Sequence, residues 1–160
     1  MQIEFRLNGR PQRADVRPSM SLADLLRDVF GLTGTHLGCE QGVCGACSIL
    51  LNGVAVRSCL ALAVQADGQE ITTVEGVAAD ETTSQLAELF VRNRAFQCGF
   101  CTPGMVVTLA EILHSYESKS RADVAHTLSG NICRCTGYEP ILDAACEALA
   151  KAGQLRDDAS

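Results

Sequence analysis

Residues 2–7, QIEFRL, alternate polar and apolar and run into Asn8-Gly9, a two-residue hairpin signal. Residues 12–17 supply the return strand. From Ser21 the period lengthens. Leu22, Leu25, Leu26 and Val29 fall at i, i+3, i+4 and i+7, which puts one apolar face on a helix over SLADLLRDVF. Ser21 caps it, Asp24 completes a variant of the capping box, and Gly31 ends it. Residues 46–51 and 54–60 read as two more strands turned by Asn52-Gly53, the second carrying Cys59. Residues 70–74 (EITTV) read as a last strand. Two hairpins, a crossing helix and a late strand fit a small mixed sheet packed on one helix.

The strand pattern stops over residues 76–83, and helical spacing replaces it. The domain boundary is therefore expected there, giving residues 1–76 and 77–160. Four helices are read in the second part. Residues 84–94 carry Leu86, Leu89 and Phe90 on one face, and 103–116 carry Val106, Leu109, Ala110 and Leu113. Residues 121–129 follow Ser120, with Asp123 completing a capping box and Gly130 as a stop. Residues 139–152 carry Ile141, Ala145, Ala148 and Leu149. Short links between helices predict a bundle, so the class is α+β. The last residues, 154–160, are polar and expected to be loose.

Cysteine content changes the picture. Nine cysteines in 160 residues bunch at 39, 44, 47 and 59 and at 98, 101, 133 and 135, leaving Cys146 over. The chain is too long, and at 47% hydrophobic too well supplied with core, to need a disulfide framework. Residues 36–47, HLGCEQGVCGAC, space three cysteines as C-x4-C-x2-C, and Cys59 follows after 11 residues. Plant-type [2Fe–2S] sites use three thiolates on one loop and a fourth from outside it. Gly38, Gly42 and Gly45 let a backbone wrap a compact object and aim N–H groups at sulfur. Structural zinc is the competitor. It usually takes two C-x2-4-C knuckles, or cysteine mixed with histidine, and one triplet plus a distant single suits it less.

Cys98-Gly-Phe-Cys101 precedes Thr102-Pro103, read as an N-cap and first helical residue, and Cys133-Arg-Cys135 precedes the last helix. Unpaired N–H groups at helix starts stabilise thiolates. If the two helices pack side by side, four sulfurs converge, and a C-x-C pair reaches adjacent corners of a small cluster. Cys98/Cys101 alone could be a thioredoxin-like redox pair, but no β-α-β pattern surrounds it. Cys146 is expected to be a buried small apolar residue, and His36, His114 and His126 ordinary histidines, with Thr35-His36 close to the first cysteine loop.

Charge and hydropathy mainly exclude. The formal net charge is −6, and basic residues are few and unclustered, which argues against a nucleic-acid surface. No apolar run reaches membrane-spanning length, and MQIEFRLNGR lacks a signal-peptide pattern, so a cytoplasmic location is expected. There is no Ser/His/Asp set and no phosphate loop, so no substrate-converting site is expected in this chain.

GCEQGVCGAC (38–47), QCGFCTPGM (97–105) and GNICRCTGY (130–138) resemble the small iron–sulfur subunit of the xanthine dehydrogenase family of molybdenum hydroxylases. The resemblance runs from the first hairpin to about residue 150, and all eight cysteines fall on the family's motifs. It implies a β-grasp, plant-type ferredoxin domain and a four-helix domain, each with a [2Fe–2S] cluster. The ligands would be Cys39, Cys44, Cys47 and Cys59, and Cys98, Cys101, Cys133 and Cys135. It implies partners: a large molybdopterin subunit and a medium FAD subunit, often as a dimer of heterotrimers. Electrons would pass from molybdenum through the helical-domain cluster, then the ferredoxin-domain cluster, to FAD. Gln97 would contact the pterin, and Cys135 would be the ligand nearest it. Two other readings stay open from the residues: a freestanding two-cluster ferredoxin, and a zinc-stapled interaction module. An apolar segment around 96–105 argues against the first if it is exposed.

Overall fold

The computed structural model describes residues 1–157. Strands β1 (Gln2–Leu7) and β2 (Arg10–Asp15) form the first hairpin, with Leu7 opposite Arg10. Asn8 and Gly9 both take positive φ, 49° and 76°, the pair that a tight right-twisting hairpin turn needs. The alternation places Ile3, Phe5 and Leu7 in the core.

The first helix differs from its expected form. Ser21 Oγ accepts the Asp24 N–H at 3.0 Å, but only this half of the capping box forms among the described residues. Helix α1 (Leu22–Asp24) then opens into a π turn over Leu25–Val29, where Phe30 N donates to Leu25 O at 3.2 Å. One extra residue in the turn rotates the face. Val29 swings out to 53% exposure, and Phe30 replaces it, packing edge-on against Phe5 with ring centroids 5.6 Å apart. Gly31, at φ 68°, ends the element as expected.

Strands β3 (Ser48–Leu51) and β4 (Val54–Arg57) form the second hairpin around Asn52-Gly53, again with both φ positive. β4 stops at Arg57, so Cys59 sits in the turn after the strand and not on it. A short 3-10 turn, Ala63–Ala66, leads to β5 (Glu70–Thr72). β5 lies mid-sheet, parallel to β1 and antiparallel to β3, in the order β2-β1-β5-β3-β4. This mixed sheet closes over Leu22, Leu25, Leu26, Ile49 and Ile71.

β5 is shorter than expected because the chain turns at Thr73, the N-cap position, into helix α2 (Val74–Ala79), which the sequence pattern missed. The four expected helices follow, with ends that differ by at most two residues: α3 (Leu86–Arg92), α4 (Thr102–His114), α5 (Arg121–Leu128) and α6 (Glu139–Lys151). The Ser120–Asp123 capping box is complete. The faces named for α3, α4 and α6 are buried. α4 is buried almost all round, Met105, Val107 and Ile112 included, because it packs on α2, α5 and the β3–β4 hairpin together. The helical half thus docks on the sheet half through α4.

The chain's end also differs. Gln154 is 6% exposed, its amide donates to Leu113 O at 3.0 Å, and Lys119 and Leu155 form a parallel bridge. These bonds anchor residues expected to be loose; residues 158–160 lie outside the described residues. Among the described residues, no helix is long and apolar enough to cross a membrane.

Candidate metal centres

The first cysteine loop hangs between the π turn and β3. Arg27 Nη1, on that turn, donates to Thr33 O at 3.1 Å and Thr35 O at 2.7 Å, while Gly34 N donates to Glu75 Oε1 at 3.0 Å. Glu40, Gly42 and Gly45 then take left-handed conformations that coil the backbone. The amides of Gln41 and Cys44 both point at Cys39 Sγ, each at 3.4 Å. The N–H groups of Cys44 and Gln41 lower the Cys39 thiol to about 6. Cys44 is the thiol beside Cys39. Cys59 arrives from beyond β4 and meets Cys47; burial, then the Cys47 thiol, pushes Cys59 up to about 11.

The second set is assembled from two places. Cys98 and Cys101 flank Gly99, at φ 79°, just before α4. Cys101 itself occupies the cap position and Thr102 is the first helical residue, so the helix begins one place earlier than expected, with the Thr102 hydroxyl buried and without a partner among the described residues. Cys133 and Cys135 lie on the arm before α6, closed by Tyr138, whose hydroxyl accepts from Cys133 N at 3.0 Å and donates to Asn131 O at 3.1 Å. Cys135 Sγ lies 3.6 Å from Cys98 Sγ, and Cys101 is partnered by Cys133. The sulfurs converge although α6 packs chiefly on α3 and α5, so side-by-side packing of α4 and α6 is not what brings them together.

Helix starts do not make all of these thiols acidic, contrary to expectation. Burial pushes Cys101 up to about 12, and the Cys98 thiol raises Cys135. Burial, the largest single influence, opposes ionisation of Cys133, but the Thr136 hydroxyl, 3.2 Å from its sulfur, acting with the backbone N–H groups of Thr136 and Cys135 and the Cys101 thiol, holds it below the ordinary value.

Among the described residues, no three His, Cys, Asp or Glu side chains surround one point as for a single ion. The thiols come in twos: Cys39 with Cys44, Cys47 with Cys59, Cys98 with Cys135, Cys101 with Cys133. Two pairs of thiolates are the donor set of a two-iron cluster, two per iron, whereas structural zinc draws four ligands onto one ion. Both sets fit [2Fe–2S], and the unpartnered Thr102 hydroxyl beside Cys101 is a polar atom that a bound group could satisfy.

The remaining site residues divide. Gln97 Nε2 donates to Cys135 O at 3.0 Å, and both residues are exposed, so the two are neighbours. Cys146 is only half-buried, its sulfur 3.8 Å from Arg121 Nη1, because that side of α6 faces α5. His114 pairs with Asp80 at 3.1 Å, and His126 is exposed. In the apolar segment, Phe96 and Phe100 are 39% and 48% exposed but Met105 is buried. Beside them lies an apolar groove of about 380 Å3 lined by Val74, Ala87, Phe90, Val91, Phe96 and Pro103.

Sequence reasoning missed the bridge between the two loops. His36 Nδ1 lies 2.8 Å from Phe100 O, and its ring stacks on Phe100 at 4.8 Å. Ile132 N donates to Cys44 O at 2.8 Å, and Asn131, 1% exposed, donates to Gly45 O at 3.0 Å. The proximity of each residue to a cysteine motif was the only available signal.

Two family profiles match the chain, one described as a 2Fe-2S iron-sulfur cluster binding domain over residues 5–86 and one as a [2Fe-2S] binding domain over residues 73–146. The nicotine 6-hydroxylase small subunit of Paenarthrobacter nicotinovorans is 48% identical over 153 residues, covering 96% of this chain and 92% of that protein. The xanthine dehydrogenase iron-sulfur-binding subunit of Escherichia coli O157:H7 is 40% identical over 143 residues, covering 88% and 89%. In the crystal structure of quinoline 2-oxidoreductase from Pseudomonas putida 86, one chain superposes with a TM-score of 0.87 at 52% identity, covering 95% of this chain and 94% of that one.

Proposed function

We propose an electron-carrying role for this chain, which belongs to the small [2Fe–2S] subunits of the xanthine dehydrogenase family of molybdenum hydroxylases. It serves as the electron-transfer subunit between a molybdopterin centre and FAD, both on partner chains, and has no substrate-converting site of its own. The pairing of thiols carries this reading. One iron of the first centre would take Cys39 and Cys44 and the other Cys47 and Cys59. In the second centre the pairs would be Cys98 with Cys135 and Cys101 with Cys133. Bound there, the clusters supply one-electron transfer.

The chain's own residues do the rest. Amides of Gln41 and Cys44 stabilise a thiolate at Cys39, and the Thr136 hydroxyl does so at Cys133. We divide the chain at 76/77, because the apolar cluster of the sheet ends in sequence at Ile71 and, Leu50 of β3 apart, the buried residues of the helical cluster begin at Val77. Gln97 and Cys135 form the pterin-side contact, supported by their mutual hydrogen bond and exposure. Exposed Phe96 and Phe100 suit burial against the large molybdopterin subunit in a dimer of heterotrimers with the medium FAD subunit. Eight thiols reserved for metal suit the reducing cytoplasm.

Metal and sulfide analysis of the purified chain tests this. Each cysteine set should hold two irons and two acid-labile sulfides. Zinc in either set, or iron in only one, would overturn the assignment.

A further inference from the structure

The two cysteine sets are far apart in sequence, yet one dipeptide touches both. Asn131-Ile132 directly precedes Cys133. Ile132 N donates to Cys44 O at 2.8 Å, and Asn131 Nδ2 donates to Gly45 O at 3.0 Å and reaches Ser48 Oγ at 3.3 Å. The carbonyls so held are those of Cys44 and its neighbour, in the middle of the first loop. Asn131 is itself fixed from the other side. Thr108 Oγ1, on α4, lies 3.1 Å from its Oδ1, and Arg57 Nη2 lies 3.4 Å from the same oxygen. The contact is close on every side. A Cβ on Gly45 would stand 2.7 Å from Gly130 O, and one on Gly104 would stand 2.3 Å from Gly45 O.

We propose that Asn131, though it lies in the second centre's domain, is a positioning residue for the first centre. It holds the Cys44–Gly45 backbone in the coiled form that aims the Cys44 amide at Cys39 Sγ, so retention of the first cluster depends on an arm of the other domain. Gly45 sits at φ 72°, in the loop before β3 and outside any helix or strand. Besides Asn131, Gly45 O accepts from Ser48 N and Ser48 Oγ, at 3.2 and 2.7 Å, and Ser48 belongs to the same loop-to-strand junction. Asn131 is the donor to this carbonyl that comes from across the seam. Outer residues of this kind, when changed, typically cost about 10–100-fold in metal affinity.

The inference rests on the reading of both sets as [2Fe–2S] sites, and the wild-type iron content and two EPR signals test that reading separately. Asn131→Asp keeps the size of the side chain and the acceptor facing Thr108 and Arg57, and removes the donor to Gly45 O. The experiment challenges the iron-loaded full chain with a chelator and follows each centre by EPR after reduction. The first centre of Asn131→Asp should be lost about tenfold faster than in wild type, with altered g values, while the second keeps its rate and signal. Thr108→Val, which frees the Asn131 amide from a residue in neither cysteine motif, should act in the same direction and decides the matter if Asn131→Asp does not fold. Faster loss of the second centre alone, or unchanged behaviour of the first in the folded variants, would overturn the proposal.

Discussion

The two thiol sets solve one problem by opposite means. The first lies within residues 39–59, and its loop is shaped locally: three left-handed residues coil it, and its own amides point at Cys39 Sγ. The second joins residues 98–101 to 133–135, and its geometry comes from where α4 and α6 begin. The first loop is coiled mainly by its own residues, with the Asn131-Ile132 arm added from across the seam; two helix entries meet only if the whole bundle packs. The cores match this division. The sheet half closes over one face of a short, distorted helix, whereas the helical half is built round α4, which has almost no exposed side. Perturbing the first set should therefore act locally, and perturbing the second should be felt across the molecule.

The widest separation between the two is expected in electron delivery. In the assembled enzyme, Cys135→Ser removes a thiolate from the centre proposed to lie nearest molybdenum, and Cys44→Ser removes one from the centre proposed to lie nearest FAD. Both should slow flavin reduction by substrate drastically, because each breaks an essential step of the route. They should differ in what accumulates. With Cys44→Ser the helical-domain centre should become reduced and stay so; with Cys135→Ser neither iron signal should appear on the time scale of turnover. Rapid mixing with substrate, followed by flavin absorbance and freeze-quenched EPR, reads both. Wild-type flavin reduction in Cys135→Ser would show that the route does not pass through the helical domain.

The seam between the halves should give the next largest effect. Gly104 lies on α4 directly beneath the first loop, and a Cβ there would stand 2.3 Å from Gly45 O and 2.9 Å from Asn131 Nδ2. The nearest atom belongs to backbone, so the loop and the helix must part. Overpacking of this kind costs about 1–3 kcal/mol. For a chain of 160 residues that corresponds to a melting temperature lower by about 2–12 °C. Gly104→Ala should lower the melting temperature of the iron-loaded chain and perturb the first centre's EPR signal, although the substitution lies in the second centre's helix. A full-stability variant with an unchanged first signal would mean that the halves fold and load independently.

What could be read from the sequence follows the same line between local and assembled structure. Both Asn-Gly hairpins, the Ser120 capping box and the C-x4-C-x2-C loop depend on neighbours in the chain, and each was legible. α2 was not, because six residues containing Gly76 carry little helical pattern and Val74 extends the β-branched run of β5. The end of β4 at Arg57 was hidden in the same way, since Cys59 and Leu60 carry the strand-like composition past the last ladder pair. His36 and Asn131 were passed over because their partners, Phe100 and Gly45, are 64 and 86 residues away. Nothing local distinguishes a polar residue that bridges two domains from one that faces water. The anchored Gln154 is a further instance, its amide bound to Leu113 O.

The π turn gives the smallest and most local test. A regular helix over residues 22–29 would bury Val29 beside Leu22, Leu25 and Leu26, and trimming it would then cost about 1 kcal/mol or more. The turn instead leaves Val29 53% exposed and sends Phe30 against Phe5. Val29→Ala should thus change stability by no more than about 0.5 kcal/mol, the usual range for a surface position. Phe30→Ala should cost about 1–2 kcal/mol, because Phe30 is only half-buried but loses an edge-to-face ring contact. Arg27, on the same turn, holds Thr33 O and Thr35 O at the entrance of the first loop. If the turn reverts to regular helix without Phe30, Arg27 rotates away and the first centre's EPR signal broadens, while the second stays sharp. Thermal melts of the two variants, with EPR of each, measure this. A larger loss from Val29→Ala than from Phe30→Ala would restore the regular helix, and with it an ordinary α-helical support for the first loop.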